Sequence, residues 1–458
     1  MVEDNTSLYE KREKIQAQDV KGFFNSLRNF TIYITLGAYF LGPWLFWNGR
    51  QAILFDLPNR KFYILGITFW PQDFFLLSWL LILAAMSLFV FTVLSGRLWC
   101  GYTCPQTVWV RLFLGLERIC EGKRNARIKL DKQSWSVNKA VRRTAKHTSW
   151  LILSFITAFT FVGYFTPVKT LFIETIQLNL GPWQIVWITF FTCATYINAG
   201  WMREQICLYL CPYARFQSVM FDQDTLIIAY DEKRGEPRGS RSKSEDYKAL
   251  GKGDCINCNQ CVHVCPTGID IRDGLQMACI NCTACIDACN SIMDKMAYPR
   301  GLIRYDTSNR LENKSSHILR PRLMGYASIL LIMASVFLYA LFNRIPFDID
   351  VIRDRKQLYR ETSTGLIENV YTLKLFNMSQ EIKTYTITLT DSKSFTYKGQ
   401  SSVTIQPGDI ATLTVQVQAK PDVLTGQSMS IYFKISDQTE PSLSKTELSK
   451  FIGPLEKS

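Results

Sequence analysis

Two nearly identical runs of four cysteines constrain this chain more than any other feature. The first reads C-I-N-C-N-Q-C-V-H-V-C-P from Cys255, and the second reads C-I-N-C-T-A-C-I-D-A-C-N from Cys279. Both follow the C-x2-C-x2-C-x3-C spacing of bacterial two-cluster ferredoxins. There, the first three cysteines of a run bind one 4Fe-4S cubane and the fourth binds the other. The repeat therefore predicts a small module that brings both runs together.

The spacing assigns four cysteines to each of two 4Fe-4S clusters. The first cluster is expected at Cys255, Cys258, Cys261 and Cys289, and the second at Cys279, Cys282, Cys285 and Cys265. Zinc also binds C-x2-C pairs, but a four-ligand zinc site has no use for a third C-x2-C step and a terminal C-x3-C, given twice. Disulfides are a further alternative in a secreted chain. We interpret His263 as a loop residue near a cluster, because four thiolates already fill the site.

The composition indicates membrane spans combined with soluble parts. Hydrophobic residues make up 47% of the 458-residue chain and aromatic residues 13%, although 20% of the residues are charged. This length allows two or three domains. The net charge of +13 could suggest nucleic acid, but the basic cytoplasmic loops of a membrane protein explain it better, so we expect no nucleic-acid partner.

Five apolar segments are predicted to span the membrane. Each has a core of about 18 or more uncharged residues, which is enough to cross a bilayer. The predicted spans are residues 30–47, 74–96, 148–165, 183–201 and 322–344. No small-residue cleavage site follows the first apolar run, so we predict no removable signal peptide.

Basic residues predict the orientation of these spans. Residues 97–147 contain twelve Lys or Arg and only three acidic residues, whereas the loops at 48–72 and 166–182 contain few basic residues. The positive-inside rule then places the N-terminus, residues 97–147 and residues 202–321 in the cytoplasm. With five spans, the chain after the last span lies outside. The cysteines stop at Cys289, which fits a reducing inner compartment and a thiol-free outer part.

These patterns divide the chain into five parts. They are a cytoplasmic N-terminal segment at 1–29, a transmembrane domain at 30–221, a cytoplasmic two-cluster ferredoxin domain at 222–321, the fifth span at 322–344 and an outer domain at 345–458. In the outer domain, residues 384–390, 412–418 and 429–435 alternate polar and apolar, which predicts half-buried strands. We expect an immunoglobulin-like β-sandwich, held by its apolar inner face because it has no cysteine pair.

The ferredoxin domain is expected to begin with a short strand at residues 226–230. The loop E-K-R-G-E-P-R-G follows, and the sequence leaves open whether it is flexible or folded against the membrane domain.

A second cysteine set follows two of the spans. Each time a span is followed by an arginine and then by C-x3-C-P, with Cys100 and Cys104 in the first motif and Cys207 and Cys211 in the second. We interpret this as a duplicated helical hairpin with both motifs at the cytoplasmic edge. On a helix, residues i and i+4 share a face, so two facing pairs could form a four-sulfur site for Cu(I), zinc or iron–sulfur. Dithiol–disulfide cycling and simple burial of small residues are the alternatives.

The remaining cysteines and histidines carry weaker signals. Cys120 and Cys193 are unpaired, and we interpret both as packing residues. His147 and His317 flank predicted spans and are interpreted as interfacial residues rather than haem ligands.

With these motifs in hand, the chain resembles the FixG/CcoG family, accessory proteins of the cbb3-type cytochrome c oxidase. The resemblance is most specific in C-P-T-G-I-D-I-R-D-G-L-Q-M-A-C-I-N-C-T-A-C-I-D-A-C at Cys265–Cys289, in P-R-G-L-I-R-Y-D-T at Pro299–Thr307 and in Y-D-E-K-R-G-E-P-R-G at Tyr230–Gly239. It implies a multi-pass protein of the bacterial inner membrane that reduces Cu(II) to Cu(I) for the haem–copper centre of the oxidase. It also implies that the four C-x3-C-P cysteines are the metal or redox thiols, with copper as their metal.

The expected partners follow from that resemblance. They are oxidase subunits or copper-delivery proteins, a cytoplasmic electron donor and membrane lipid, and a homodimer stays open. One alternative is an assembly scaffold whose outer domain docks an oxidase subunit or a copper chaperone. Another is a quinol-linked ferredoxin subunit.

Overall fold

The fold is described from a computed structural model over residues 14–243, 245, 249, 251–355, 357–391, 394–424 and 426–454. The chain forms two compact units. One contains the chain up to Leu45 and from Trp79 to Ser335, and the other contains Phe46–Ser78 and the chain from Val336 onward.

Helices and strands are numbered in chain order. The helices are α1 (Phe23–Leu41), α2 (Phe74–Ser95), α3 (Leu98–Tyr102), α4 (Pro105–Glu121), α5 (Arg124–Lys132), α6 (Val137–Val162), α7 (Val168–Ile176), α8 (Pro182–Thr195), α9 (Pro212–Met220), α10 (Glu232–Gly235), α11 (Gln260–His263), α12 (Ala284–Met296), α13 (Ser308–Leu311) and α14 (Pro321–Phe342). Wider π-helical turns cover Tyr196–Met202 and Ile206–Leu210.

The strands are short in the first half of the chain and long near its end. They are β1 (Phe46–Trp47), β2 (Arg50–Gln51), β3 (Ile53–Asp56), β4 (Lys61–Ile64), β5 (Ile67–Phe69), β6 (Ile227–Tyr230), β7 (Ile303–Asp306), β8 (Phe347–Arg353), β9 (Arg360–Glu361), β10 (Ile367–Asn377), β11 (Lys383–Leu389), β12 (Thr396–Lys398), β13 (Ser402–Ile405), β14 (Ile410–Ala419), β15 (Ser428–Asp437) and β16 (Ser444–Ile452).

Helices form at all five segments that were predicted to span the membrane. Three helical segments in the described part of the chain have the length and hydropathy to cross a bilayer, namely Pro71–Ser95, Pro182–Met202 and Pro321–Phe342. They match the second, fourth and fifth predicted spans. The first predicted span, residues 30–47, has the wrong limits. Helix α1 begins at Phe23 and ends before a tight turn at Gly42–Trp44. The third predicted span is the apolar half of α6, whose other half is basic.

The carboxylate of Asp287 in the ferredoxin module binds the N-terminus of the first helix. Asp287 on α12 accepts hydrogen bonds from the backbone amides of Phe24 at 3.4 Å and Asn25 at 2.7 Å, and so caps the N-terminus of α1. Gly22 makes room for this contact, because a Cβ there would lie 2.2 Å from the carboxyl carbon of Asp287.

The predicted strand at 226–230 is confirmed as β6, which pairs antiparallel with β7. The loop that follows is folded onto the ferredoxin module rather than free. Arg234 Nε lies 2.5 Å from Asp254 Oδ2, and the Asp254 amide donates to the Arg234 carbonyl at 2.9 Å.

The C-terminal residues form the predicted β-sandwich. One sheet has the order β12-β14-β10-β8 with β9 on β10, and the other has the order β13-β11-β15-β16. The three predicted strands are confirmed as β11, β14 and β15. Fully buried Tyr371, Phe433 and Phe451 belong to the apolar layer between the sheets, which holds the domain together without a cysteine pair.

The sequence missed that the loop after α1 is structured. Its strands β1 to β5 belong to the same unit as the sandwich. Arg344, at the start of that domain, donates to Asp73 Oδ1 at 2.9 Å and to the Thr68 carbonyl at 3.0 Å. Trp70 packs edge-on against Phe376 with ring centroids 5.5 Å apart. These contacts join the loop and the sandwich within one compact unit.

Candidate redox site

Two neighbouring cavities in the ferredoxin module are lined by the two predicted cysteine sets. One is bordered by Cys255, Cys258, Cys261 and Cys289. The other is bordered by Cys265, Cys279, Cys282 and Cys285, with Cys261 in the wall that both share. The fourth cysteine of each run therefore lies at the cavity of the other run.

The backbone of both runs repeats the same local conformation. Asn257 and Asn259 in the first run, and Asn281 and Thr283 in the second, all have φ between 51° and 61°. This left-handed conformation turns the backbone sharply and closes each loop around its cysteines. Thr283 is the unusual member, since β-branched residues rarely adopt it. A helix follows each loop, α11 after the first and α12 after the second.

The chemistry of the thiols fits a bound metal cluster. Burial raises the pKa of Cys261 to about 11 and the pKa values of Cys279 and Cys289 to about 12. A thiolate in these positions needs a cation to stabilise it, and a coordinating metal supplies that charge. In the described residues, no three His, Cys, Asp or Glu side chains are grouped tightly enough to hold a single metal ion.

One arginine distinguishes the first cavity from the second. Arg272 lines the cavity of Cys255 and is held by Asp270, whose Oδ1 lies 2.8 Å from Arg272 Nε. Its two terminal nitrogens donate to Asn257 Oδ1 at 2.8 Å and Asn259 Oδ1 at 2.7 Å. Hydrogen bonding to Asp270 raises the pKa of Arg272 and thus keeps a positive charge beside this cavity.

The C-x3-C-P motifs do not form the continuous helix that was expected. Cys104 has ψ 128° and Cys211 has ψ 111°, so both are extended and precede the first residue of a new helix, α4 and α9. The physical reason is proline, because Pro105 and Pro212 disfavour helical geometry in the residue before them. The shared-face argument for i and i+4 was therefore wrong, although both motifs have the same new arrangement.

The two C-x3-C-P motifs nevertheless come together. Cys100 Sγ donates to Gln217 Oε1 on α9 at 3.4 Å, and Gln106 on α4 donates to the carbonyls of Asn198 and Arg203, both at 3.0 Å. The four thiols affect one another electrostatically. Burial, together with a smaller effect of Cys104, raises the pKa values of Cys100 and Cys207 to about 12. We call Cys100, Cys104, Cys207 and Cys211 the rim thiols.

The first C-x3-C-P motif lies directly against the second cysteine run. Arg97 donates to the Cys279 carbonyl at 2.9 Å and to the Ala214 carbonyl at 2.7 Å, so it links the run to both motifs. The Tyr102 hydroxyl is 3.0 Å from Thr283 Oγ1. Gly101 permits this approach, because a Cβ there would lie 2.4 Å from the Asn281 carbonyl oxygen.

The remaining cysteines and histidines lie outside these groups. Cys120 is half-buried, with Sγ 3.9 Å from Ser149 Oγ. Cys193 is exposed, so its interpretation as a packing residue is wrong; it lies on an apolar helix whose outer surface suits lipid. His147 Nδ1 is 2.7 Å from the Tyr196 hydroxyl.

Comparison with known proteins agrees with these sites. A model of a 4Fe-4S dicluster domain matches residues 202–308, and a model of a 4Fe-4S binding domain matches residues 75–119. A model of the IG-like fold at the C-terminus of FixG matches residues 337–454. Nitrogen fixation protein FixG of Rhizobium meliloti is 38% identical, covering 91% of this chain and 86% of its own. The chain belongs to the FixG family.

Two further proteins are similar to this chain over different shares of its length. Protein RdxB of Cereibacter sphaeroides is 43% identical, covering 84% of this chain and 83% of its own. The crystal structure of a FixG-related protein from Vibrio parahaemolyticus is 30% identical and covers 24% of this chain and 98% of its own, with a TM-score of 0.22. The predicted resemblance is confirmed: this is a FixG-family iron–sulfur electron-transfer protein with an immunoglobulin-like C-terminal domain.

Gly101→Ala should weaken the contact between the rim thiols and the second cysteine run. The added methyl group collides with backbone, which cannot move as a flexible side chain does, and such overpacking costs about 1–3 kcal/mol. We expect visible cluster absorbance to be lost at a lower temperature than in the wild type. Gly115→Ala is the control, because a Cβ at Gly115 meets nothing within 4 Å. Equal melting of the two variants would contradict the close approach at Gly101.

Arg272→Gln should lower the reduction potential of one cluster. A unit charge at ~8 Å contributes about 2 kcal/mol at an effective dielectric constant of ~20, on the order of 90 mV for one electron. A positive charge favours the reduced cluster, so its loss lowers the potential. Anaerobic redox titration followed by EPR would measure the shift. Arg300→Gln is the exposed control, and a shift of both clusters, or of neither, in Arg272→Gln would refute the assignment.

Proposed function

We propose that this FixG-family protein reduces Cu(II) to Cu(I) at the rim thiols, and that the Cu(I) serves assembly of a cbb3-type cytochrome c oxidase. Each turnover adds one electron to one copper ion. The electron originates from a cytoplasmic donor and reaches the rim thiols through the ferredoxin module. The copper ion is the substrate of this reaction.

We assign the resident clusters to the two cysteine-lined cavities. Cys255, Cys258, Cys261 and Cys289 would hold the first 4Fe-4S cluster, and Cys279, Cys282, Cys285 and Cys265 the second. When bound, such clusters supply one-electron transfer at potentials set by nearby charge and hydrogen bonds. The protein contributes the Arg272 charge at the first cavity and burial at both.

The observation that carries this proposal is the direct contact between the first C-x3-C-P motif and the second cysteine run. Gly101 lies against the Asn281 backbone, so Cys100 is one residue away from a segment that carries Cys279 and Cys282. Arg97 donates hydrogen bonds to the Cys279 carbonyl and to the carbonyl of Ala214, which follows Cys211 in the chain. These contacts would give an electron that leaves the second cavity a path through protein atoms to the rim thiols.

The rim thiols suit copper in its reduced state. Soft thiolate ligands favour Cu(I), so binding at these sulfurs makes the reduction more favourable. Thiols with raised pKa values release their protons when metal binds. The raised pKa values also keep these thiols protonated when no copper is bound.

Replacing a rim cysteine should stop copper reduction without removing the clusters. Anaerobically purified protein, reduced with dithionite and freed of excess reductant, is mixed with Cu(II), and Cu(I) is measured with a chromogenic chelator. We expect Cys100→Ala and Cys211→Ala to lower the rate at least tenfold while visible absorbance is retained. Cys120→Ala, outside the motifs, should match the wild type. Wild-type rates in the rim variants would remove these cysteines from the reaction.

We further propose the five-span topology of the bacterial inner membrane, with the ferredoxin module cytoplasmic and the sandwich periplasmic. The basic stretch at 97–147 supports this orientation, and so does the packing of residues 46–69 in the unit of the sandwich.

Alkaline phosphatase, which folds only outside the cytoplasm, should be active when fused after Pro454 and inactive when fused after Gly239. Activity is measured in whole cells and normalised to the amount of fusion protein. The reverse pattern, or activity at both positions, would exclude this topology.

A further inference from the structure

A cavity beside the rim thiols is lined by more arginines than carboxylates, the carboxylates being Asp19 and Glu204. It lies between the segment at Ile15–Val20, α1, α4 and the loops of the two cysteine runs. Five arginines line it, Arg28, Arg111, Arg118, Arg127 and Arg203. Three have carboxylate partners: Arg118 pairs with Asp19, and Glu117 lies 2.8 Å from Arg203 and 3.3 Å from Arg127.

The other two arginines form no close ion pair with a carboxylate among the described residues, although Asp19 acts electrostatically on Arg111. Arg111 donates only to the neutral side chains of Asn25 at 2.7 Å and Asn29 at 3.4 Å. Arg28 is 5% exposed, and its buried Nε has no hydrogen-bond partner in the described chain. A buried charge without an ion-pair partner costs several kcal/mol, so Arg28, with Arg111 beside the same cavity, is suited to an anion from outside the chain.

We propose that Arg28 and Arg111 bind a phosphate group. Guanidinium groups match phosphate oxygens in a bidentate geometry and stay charged at every physiological pH. The cavity also has apolar walls from Val110, Leu114 and Ile280, which suit a phosphate ester with a hydrocarbon part. Both a phospholipid headgroup and a soluble phosphate carry this chemistry.

The position of the site connects it to electron transfer. Cys207 lines the same cavity, while Thr267 and Ile280 line both this cavity and that of the second cysteine set. A bound phosphate therefore sits between a rim thiol and the second 4Fe-4S site. Its negative charge would offset Arg28 and Arg111, which lowers the potential of that cluster and favours electron release.

The test measures binding to the full-length, cluster-loaded protein without copper, so its result is independent of the reductase proposal. In the first arm, inorganic phosphate is titrated in detergent and its 31P resonance is followed, because reduced clusters broaden a bound nucleus. In the second arm, the protein is placed in nanodiscs of phosphatidylglycerol, and native mass spectrometry counts lipids that survive delipidation.

Arg28→Gln and Arg111→Gln are compared with Arg142→Gln, an exposed arginine on α6 that removes the same charge. We expect at least tenfold weaker binding in the first two variants and unchanged binding in the control. Arg28→Lys keeps the positive charge but loses the planar guanidinium, so we expect it to bind phosphate with intermediate affinity. This variant replaces Arg28→Gln in the test if Arg28→Gln does not fold.

Binding in the first arm identifies a soluble phosphate, and binding in the second alone identifies a lipid headgroup. Absence of binding in both arms, or equal loss in Arg142→Gln, would overturn the proposal. The two arginines would then act as counter-charges to the thiolates of the second cysteine run.

Discussion

The close approach of one glycine to one carbonyl group determines how the compact unit that contains the ferredoxin module is arranged. Gly101 and the Asn281 carbonyl can meet because neither carries a side chain at the point of contact. Arg97 and Tyr102, on either side of Gly101, then bond to Cys279 and Thr283. A ferredoxin module and a membrane helix hairpin thus share one continuous interface, and the rim thiols have a fixed position relative to the second cysteine set.

The proposed cluster cysteines could be grouped from the sequence because iron–sulfur ligation dictates spacing along the chain. A run of C-x2-C-x2-C-x3-C has few other uses, and its duplication specifies the exchange of the fourth ligand. The two cavities bring the same groups of four together. Alternation of polar and apolar residues likewise predicted β11, β14 and β15, because one face of each strand is buried in the sandwich.

Other features depend on contacts between distant residues and have no local signal. Nothing near Gly101 or Gly22 in the sequence indicates which backbone or carboxylate will lie against them. No pattern in residues 46–69 predicted the strands found there, and the loop is held by Arg344 and Phe376, about 300 residues away. The prolines that follow Cys104 and Cys211 do indicate an extended conformation for these two cysteines. The i, i+4 argument assumed a continuous helix and did not take the prolines into account.

The cap on α1 links the first helix to the cysteine-bearing helix α12. Asp287 accepts from the amides of Phe24 and Asn25, and it lies between Cys285 and Cys289, which are assigned to different clusters. A single substitution at Asp287 would therefore remove a cap from α1 and alter a helix that carries proposed ligands of both clusters. One carboxylate thus makes the order of two separate elements interdependent.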